Sequence, residues 1–155
     1  MIRMIALLLL AMAFAPQPAL AHSHKKRGLE IVHPWTPAML DARIRNITVY
    51  MTLKNRSRAA DRLVRAATPL AEKVELIDLQ SVGSVKLPAP VTALGIPARG
   101  TRELKVDGPR LLVTGIKKRF HAYDSFPVTL VFEKAGRIVV EVTVEEAETT
   151  EPHKH

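Results

Sequence analysis

An all-β sandwich is the fold this sequence predicts, on three observations. First, Ile47, Val49, Met51 and Leu53 alternate with Thr48, Tyr50, Thr52 and Lys54, the period-2 pattern of a strand buried on one face. Second, the apolar runs are short and are separated by Pro and Gly, as in sandwiches and barrels. Third, no stretch sustains a helical period with capping residues at both ends.

Taken in order, the chain opens with an export signal over residues 1–21. Met1 and Arg3 supply the positive start, Ile5 to Phe14 the apolar run, and Ala19-Leu20-Ala21 the small-residue cleavage site. The apolar run is about half the roughly 20 residues a membrane-spanning helix needs, so a cleaved signal is expected and not a membrane-spanning anchor. Residues 22–28 then read as a polar, histidine-containing arm, 29–144 as one folded domain, and 145–155 as an acidic, disordered tail ending in His153-Lys154-His155.

Within the body, Ile47 to Lys54 is the first clear strand. Val74 and Leu76 continue the alternation around Lys73 and Glu75. Leu104 and Val106 form a short strand after the turn Pro97-Ala98-Arg99-Gly100, and the unbroken run Leu111 to Val113 reads as a strand buried on both faces. Val128 to Glu133 and Arg137 to Val144 flank Lys134-Ala135-Gly136, a hairpin signal in which Gly136 is free to take positive φ. Prolines 34, 37, 69, 88, 90, 97, 109 and 127 are expected between strands. Trp35, the one tryptophan, is expected in the core, and Met39 in an exposed loop.

Composition excludes several function classes. There is no cysteine, so thiolate ligands and thiol redox chemistry are out, and stability must come from packing. The net charge is +8. Glu145, Glu146, Glu148 and Glu151 crowd into the tail, so the body is more basic still. In an exported chain such a surface attracts acidic partners or anionic membranes. Nucleic acid is not expected as a partner of an exported chain, and no aromatic–basic interleaving supports it. No nucleophile sits in a catalytic motif, so no enzyme is expected.

Several stretches together carry a family resemblance. They are His33-Pro34-Trp35, Val49-Tyr50-Met51-Thr52-Leu53-Lys54-Asn55, Ala60-Asp61-Arg62-Leu63-Val64, Lys73-Val74-Glu75-Leu76, Ile96 to Leu104, Gly115-Ile116-Lys117-Lys118 and Pro127 to Gly136. In order and spacing they resemble the PCu(A)C family of periplasmic copper chaperones. The resemblance implies a cupredoxin-like Greek-key antiparallel β-sandwich located in the periplasm. It implies copper as cargo, and as partners the copper subunit of cytochrome oxidase or a Sco-type copper protein. The family holds copper with a His-x-Met pair, a further Met and a second His-x-Met pair, soft donors suited to Cu(I). At the matching positions this chain has Ile77 and Leu79, no Met in Lys86 to Pro88, and Arg110 and Leu112. Those side chains cannot bind copper.

Metal binding is therefore expected, if anywhere, at the termini. Cleavage after Ala21 exposes His22-Ser23-His24. The new amine, two backbone amides and an imidazole at the third position can form a nitrogen square plane for Cu(II) or Ni(II). His153 and His155 form a second candidate, with Glu148 or Glu151 assisting. The reading is thus a periplasmic copper-binding accessory protein, aiding copper delivery to cytochrome oxidase and using terminal histidines. The alternative is a paralogue without metal that acts as a protein-interaction module.

Overall fold

A computed structural model describes residues 23–39, 41 and 43–146. All regular structure in these residues is strand: β1 (Ser23–Lys26), β2 (Leu29–Pro37), β3 (Ile47–Asn55), β4 (Asp61–Ala67), β5 (Lys73–Val82), β6 (Val85–Val91), β7 (Leu94–Ile96), β8 (Thr101–Leu104), β9 (Arg110–Thr114), β10 (Ser125–Phe132) and β11 (Gly136–Glu145). The neighbour order is β6-β5-β9-β3-β2-β11-β10-β4-β7, with β1 on β2 and β8 on β3. Two layers result because β3 is shared. Its first residues, Ile47 to Val49, pair with β9 in a smaller sheet of β6, β5 and β9. Met51 to Lys54 pair with β8 in the larger sheet. All pairings are antiparallel except β2 with β11, where Thr143, Val144 and Glu145 run parallel to Trp35, Thr36 and Pro37.

The alternation that predicts the strands also builds the core. Phe126, Val128, Leu130 and Phe132 of β10 point inward, as do Ile138, Val140, Val142 and Val144 of β11. From the other layer come Val49, Leu111 and Val113, all with no exposed surface. Phe120 stacks on Phe126 with ring centroids 4.6 Å apart. Each such side chain contributes about 1.5–3 kcal/mol through burial. The β10–β11 turn forms as expected, with Gly136 at φ 79°. Asp61 holds that turn by accepting hydrogen bonds from the amides of Lys134 and Ala135, both at 2.9 Å.

Some expectations change. Residues 23–26 of the expected arm form β1, because Arg27 and Gly28 both take positive φ, 49° and 81°, and so close a tight hairpin onto β2. Met39 is buried at 8% exposure and packs in the core. Trp35 is only half-buried, lying against Tyr50 at 5.0 Å. In β9 only Leu111 and Val113 are fully covered, since Leu112 faces the other side. Val106 is 62% exposed and follows β8 in a loop.

Five of the prolines fall inside strands at places where a missing N–H does no harm. Pro34 sits in the irregularity between Val32 and Trp35 and Pro37 ends β2. Pro88 and Pro90 lie on the edge strand β6. Pro127 precedes the part of β10 that β4 covers, Thr129 to Phe132.

Candidate metal centre

The positions where the family resemblance predicts ligands do meet. Ile77 of β5 pairs with Arg110 of β9, Glu75 with Leu112, and Leu79 with Pro88 of β6. Directly paired residues share a sheet face, and so do alternate residues along a strand. Ile77, Leu79, Pro88, Arg110 and Leu112 therefore share the outer face of the smaller sheet, opposite the core residues Leu76, Leu111 and Val113. The backbone brings these positions together, and their side chains offer no donor for copper. Ile and Leu offer no lone pair, and a guanidinium stays protonated and has no acceptor. Arg110 is moreover engaged elsewhere. Its Nη1 donates to the carbonyls of Gly108 at 3.1 Å and Val106 at 3.3 Å, which ties down the β8–β9 loop. Ile77 is 6% exposed but lies outside the main core cluster, so this position now serves packing. On the opposite face, Asp78 forms an ion pair with Arg102 of β8. Among the described residues, no group of three or more His, Asp or Glu is placed to hold a metal.

Of the expected terminal ligands, His22, His153 and His155 lie outside the described residues. His24 is in β1, paired with Ile31, a core residue without exposed surface. Its side is therefore the core side of the larger sheet, at the sheet's margin. Its Nε2 is buried without a hydrogen-bond partner among the described residues.

The two remaining described histidines are each engaged. His33 Nε2 lies 2.5 Å from Glu145 Oε1, and its ring stacks near Trp35 at 6.1 Å. His121 receives Asp124 twice: the carboxylate accepts its backbone N–H at 2.9 Å and lies 3.7 Å from Nδ1. Beside them the Glu146 carboxylate pushes the Tyr123 phenol pKa up, first as a hydrogen-bond acceptor and then by its charge.

A second feature was missed by sequence reasoning. The loop after β2 and the loop after β9 are joined where the Ile116 N–H donates to the Arg45 carbonyl at 2.9 Å. Between them lies a cleft of about 190 Å³ lined by Met39, Ile44, Arg45, Ile116 and the run Lys117-Lys118-Arg119. The signal in the sequence was that basic run, together with Arg43 and Arg45 some seventy residues earlier. Only the fold makes them neighbours.

Comparison with known proteins places this fold. The LpqE-like family model matches residues 29–144. No curated protein matches the chain. Among solved structures, the copper-bound PCuAC domain from PmoF2 is 23% identical at a TM-score of 0.69, covering 81% of this chain and 99% of that one. Apo-DR1885 from Deinococcus radiodurans is 27% identical at a TM-score of 0.61, covering 96% and 98%. Its Cu(I) form is 29% identical at a TM-score of 0.61, covering 84% and 85%. The expected cupredoxin-like sandwich is thus the fold observed. Because the family model spans the sandwich from its second strand to its last, the chain belongs to the LpqE-like family and is a PCu(A)C protein.

Proposed function

We propose that the protein is a copper-handling accessory protein of the periplasm, exported by a signal over residues 1–21, with copper as its cargo. Its metal contacts run through the terminal histidines His22, His24, His153 and His155 and bypass the outer face of the smaller sheet. One observation carries this reading. The fold is that of a copper-binding family, yet the positions that would hold the metal are Ile77, Leu79, Arg110 and Leu112. Met39 and Met51 are buried, so the remaining donors of the right chemistry are imidazoles.

At the amino end, chelation would use the His22 amine, the amides of Ser23 and His24, and the His24 ring. Ser23 and His24 are the first rungs of the β1–β2 ladder, opposite Val32 and Ile31. Binding would therefore peel the start of β1 from the sheet. That strand is four residues long, so the loss is small, and the His24 ring has one nitrogen uncommitted. The copper would pass to the copper subunit of cytochrome oxidase or to a Sco-type protein. No catalytic role is proposed.

The test is titration of protein exported by its own signal, with its first residue fixed by mass spectrometry and Cu(II) and Cu(I) added separately. About one equivalent of Cu(II) is expected, lost in His22→Ala/His24→Ala and retained in His153→Ala/His155→Ala. Loss only in the second variant moves the site to the tail. The replacement of ligands by a packing residue and a tethered arginine favours a second reading, a paralogue acting as a protein-interaction module. Absence of stoichiometric binding for either ion overturns the first reading and favours the second.

A further inference from the structure

The cleft between the loop after β2 and the loop after β9 combines an apolar floor with a charged rim, the anatomy of a protein interface. Its floor is apolar and recessed: Ile116 is 3% exposed and Met39 8%, with Ile44 at 38% on the lip. Its rim is cationic: Arg45, Lys117, Lys118 and Arg119 are all exposed, and among the described residues no acidic one lines the cleft.

The nearby carboxylates do little to neutralise the rim. Asp41 is bound by Arg43 through two contacts at 3.2 Å and one at 2.8 Å and influences Arg119 only weakly, through space, and the Glu72 side chain lies against Gly115. Among the described residues, the side chains of Arg45 and Arg119 make no ion pair, Lys118 lies over the Phe120 ring at 5.7 Å, and Lys117 reaches only the Pro69 carbonyl at 3.3 Å. Like charges gathered with so little counter-charge are a standing cost that an anionic partner removes.

We propose that this cleft is a docking site for an acidic polypeptide segment of a partner protein, with carboxylates on the Arg45–Arg119 rim and an aliphatic side chain on the Met39–Ile116 floor. The shape decides between polypeptide and membrane. A lipid-binding surface projects its apolar residues so that they enter the bilayer. Here they are sunk below the charges, where an inserted side chain reaches them and a flat lipid surface does not. The size agrees, since about 190 Å³ holds a side chain and exceeds what a single anion fills. The site uses none of the positions considered for copper, so it stands or falls separately from the copper reading.

The experiment uses copper-free, full-length exported protein and a short synthetic peptide alternating Glu with Leu, followed by fluorescence anisotropy at low salt. Arg45→Glu/Arg119→Glu is expected to weaken binding at least about tenfold. Arg58→Glu/Arg137→Glu changes the net charge equally but at exposed positions outside the cleft, and is expected to cost less than about twofold. Replacing Leu by Ser in the peptide is expected to weaken binding several-fold, because the floor then gains nothing. All four substituted positions are exposed, so unfolding is not expected, and circular dichroism checks it. Equal losses in the two double variants would reduce the effect to overall charge and overturn the proposal. So would equal binding of the Ser peptide, or binding of phosphatidylglycerol vesicles or inorganic phosphate in preference to the Glu–Leu peptide.

Discussion

The two faces of β5 and β9 share one backbone and one register, and they have had opposite fates. Inward, Leu76, Leu111 and Val113 are buried in the sandwich core. Outward, one residue away in each case, Ile77, Arg110 and Leu112 stand where the family resemblance predicts a metal site. The inner face is fixed by packing, since any change there opens a cavity or overfills one. The outer face is tied to the fold mainly through buried Ile77 and the Arg110 tether to the β8–β9 loop. Chemistry on the outer face is therefore separable from the fold. A chain can drop the ligands and keep the sandwich.

If that is so, the chemistry can be put back. Ile77→His/Leu79→Met/Arg110→His/Leu112→Met places two imidazoles and two thioethers on one sheet face, across paired strands. The expected outcome is the largest in this set: about one equivalent of Cu(I), held against a chromophoric competitor, where the parent sandwich holds none. Without metal the variant is less stable by about 1–3 kcal/mol, because His replaces a buried Ile at position 77. Adding copper should restore that loss by linkage. Should the variant bind weakly, Pro88→Met supplies a further thioether from the strand opposite Leu79. Failure of both variants to bind, with the fold intact, would break the comparison. It would mean that the outer face has lost its geometry as well as its ligands.

The next effect is in stability. Leu111→Ala, at a position with no exposed surface, is expected to cost about 2–5 kcal/mol in denaturant unfolding. Leu112→Ala, its neighbour on the outer face and only partly covered, should cost well under half as much. Similar losses at both positions would show that the outer face is structural after all.

That contrast also explains what the sequence made legible. Part of the core could be read because a period of two leaves a direct trace: β3 and the start of β5 were visible as alternation, and the β10–β11 hairpin through the Gly136 turn between two apolar runs. The family pattern also pointed to Ile77, Leu79, Arg110 and Leu112, and the strand register sets these on one face. The β1 hairpin was not, because its turn is Arg27-Gly28 and the Arg carries a positive φ that its residue type does not announce. Nor was the burial of Met39, which is imposed by neighbours distant in sequence. The run Leu111 to Val113 misled because hydrophobicity alone does not say whether a second face is covered; Leu112 looks out where a ligand would be. The basic cleft needed two loops to be brought together, and neither loop alone signals a site.

The smallest effect expected on the exterior is electrostatic and depends on pH. On the larger sheet Glu30 accepts from Arg56 Nη2 at 2.8 Å and lies 3.5 Å from Lys25, and Glu133 pairs with Arg62. The hydrogen bonds from Arg56 and Arg62 hold these carboxyls below the ordinary value of 4.5, and the bond from Arg43 holds Asp41 below 3.8. A carboxylate whose pKa is depressed by folding stabilises the fold at every pH above its unfolded value. That contribution is lost as pH falls through the folded value. Melting temperature should therefore stay level on acidification from neutral pH and begin to fall below about pH 4.5. The drop should be smaller than that caused by Leu111→Ala, because the partners Arg43, Arg56 and Arg62 face water. Raising the salt concentration should flatten the pH profile, since exposed pairs are screened within about 10 Å at 0.1 M, while the cost of Leu111→Ala should not shrink with it. Such a result would divide the molecule as the two faces of β5 and β9 do. Packing inside sets whether the chain folds, and the exterior carries charges and ligands that can change without changing the fold.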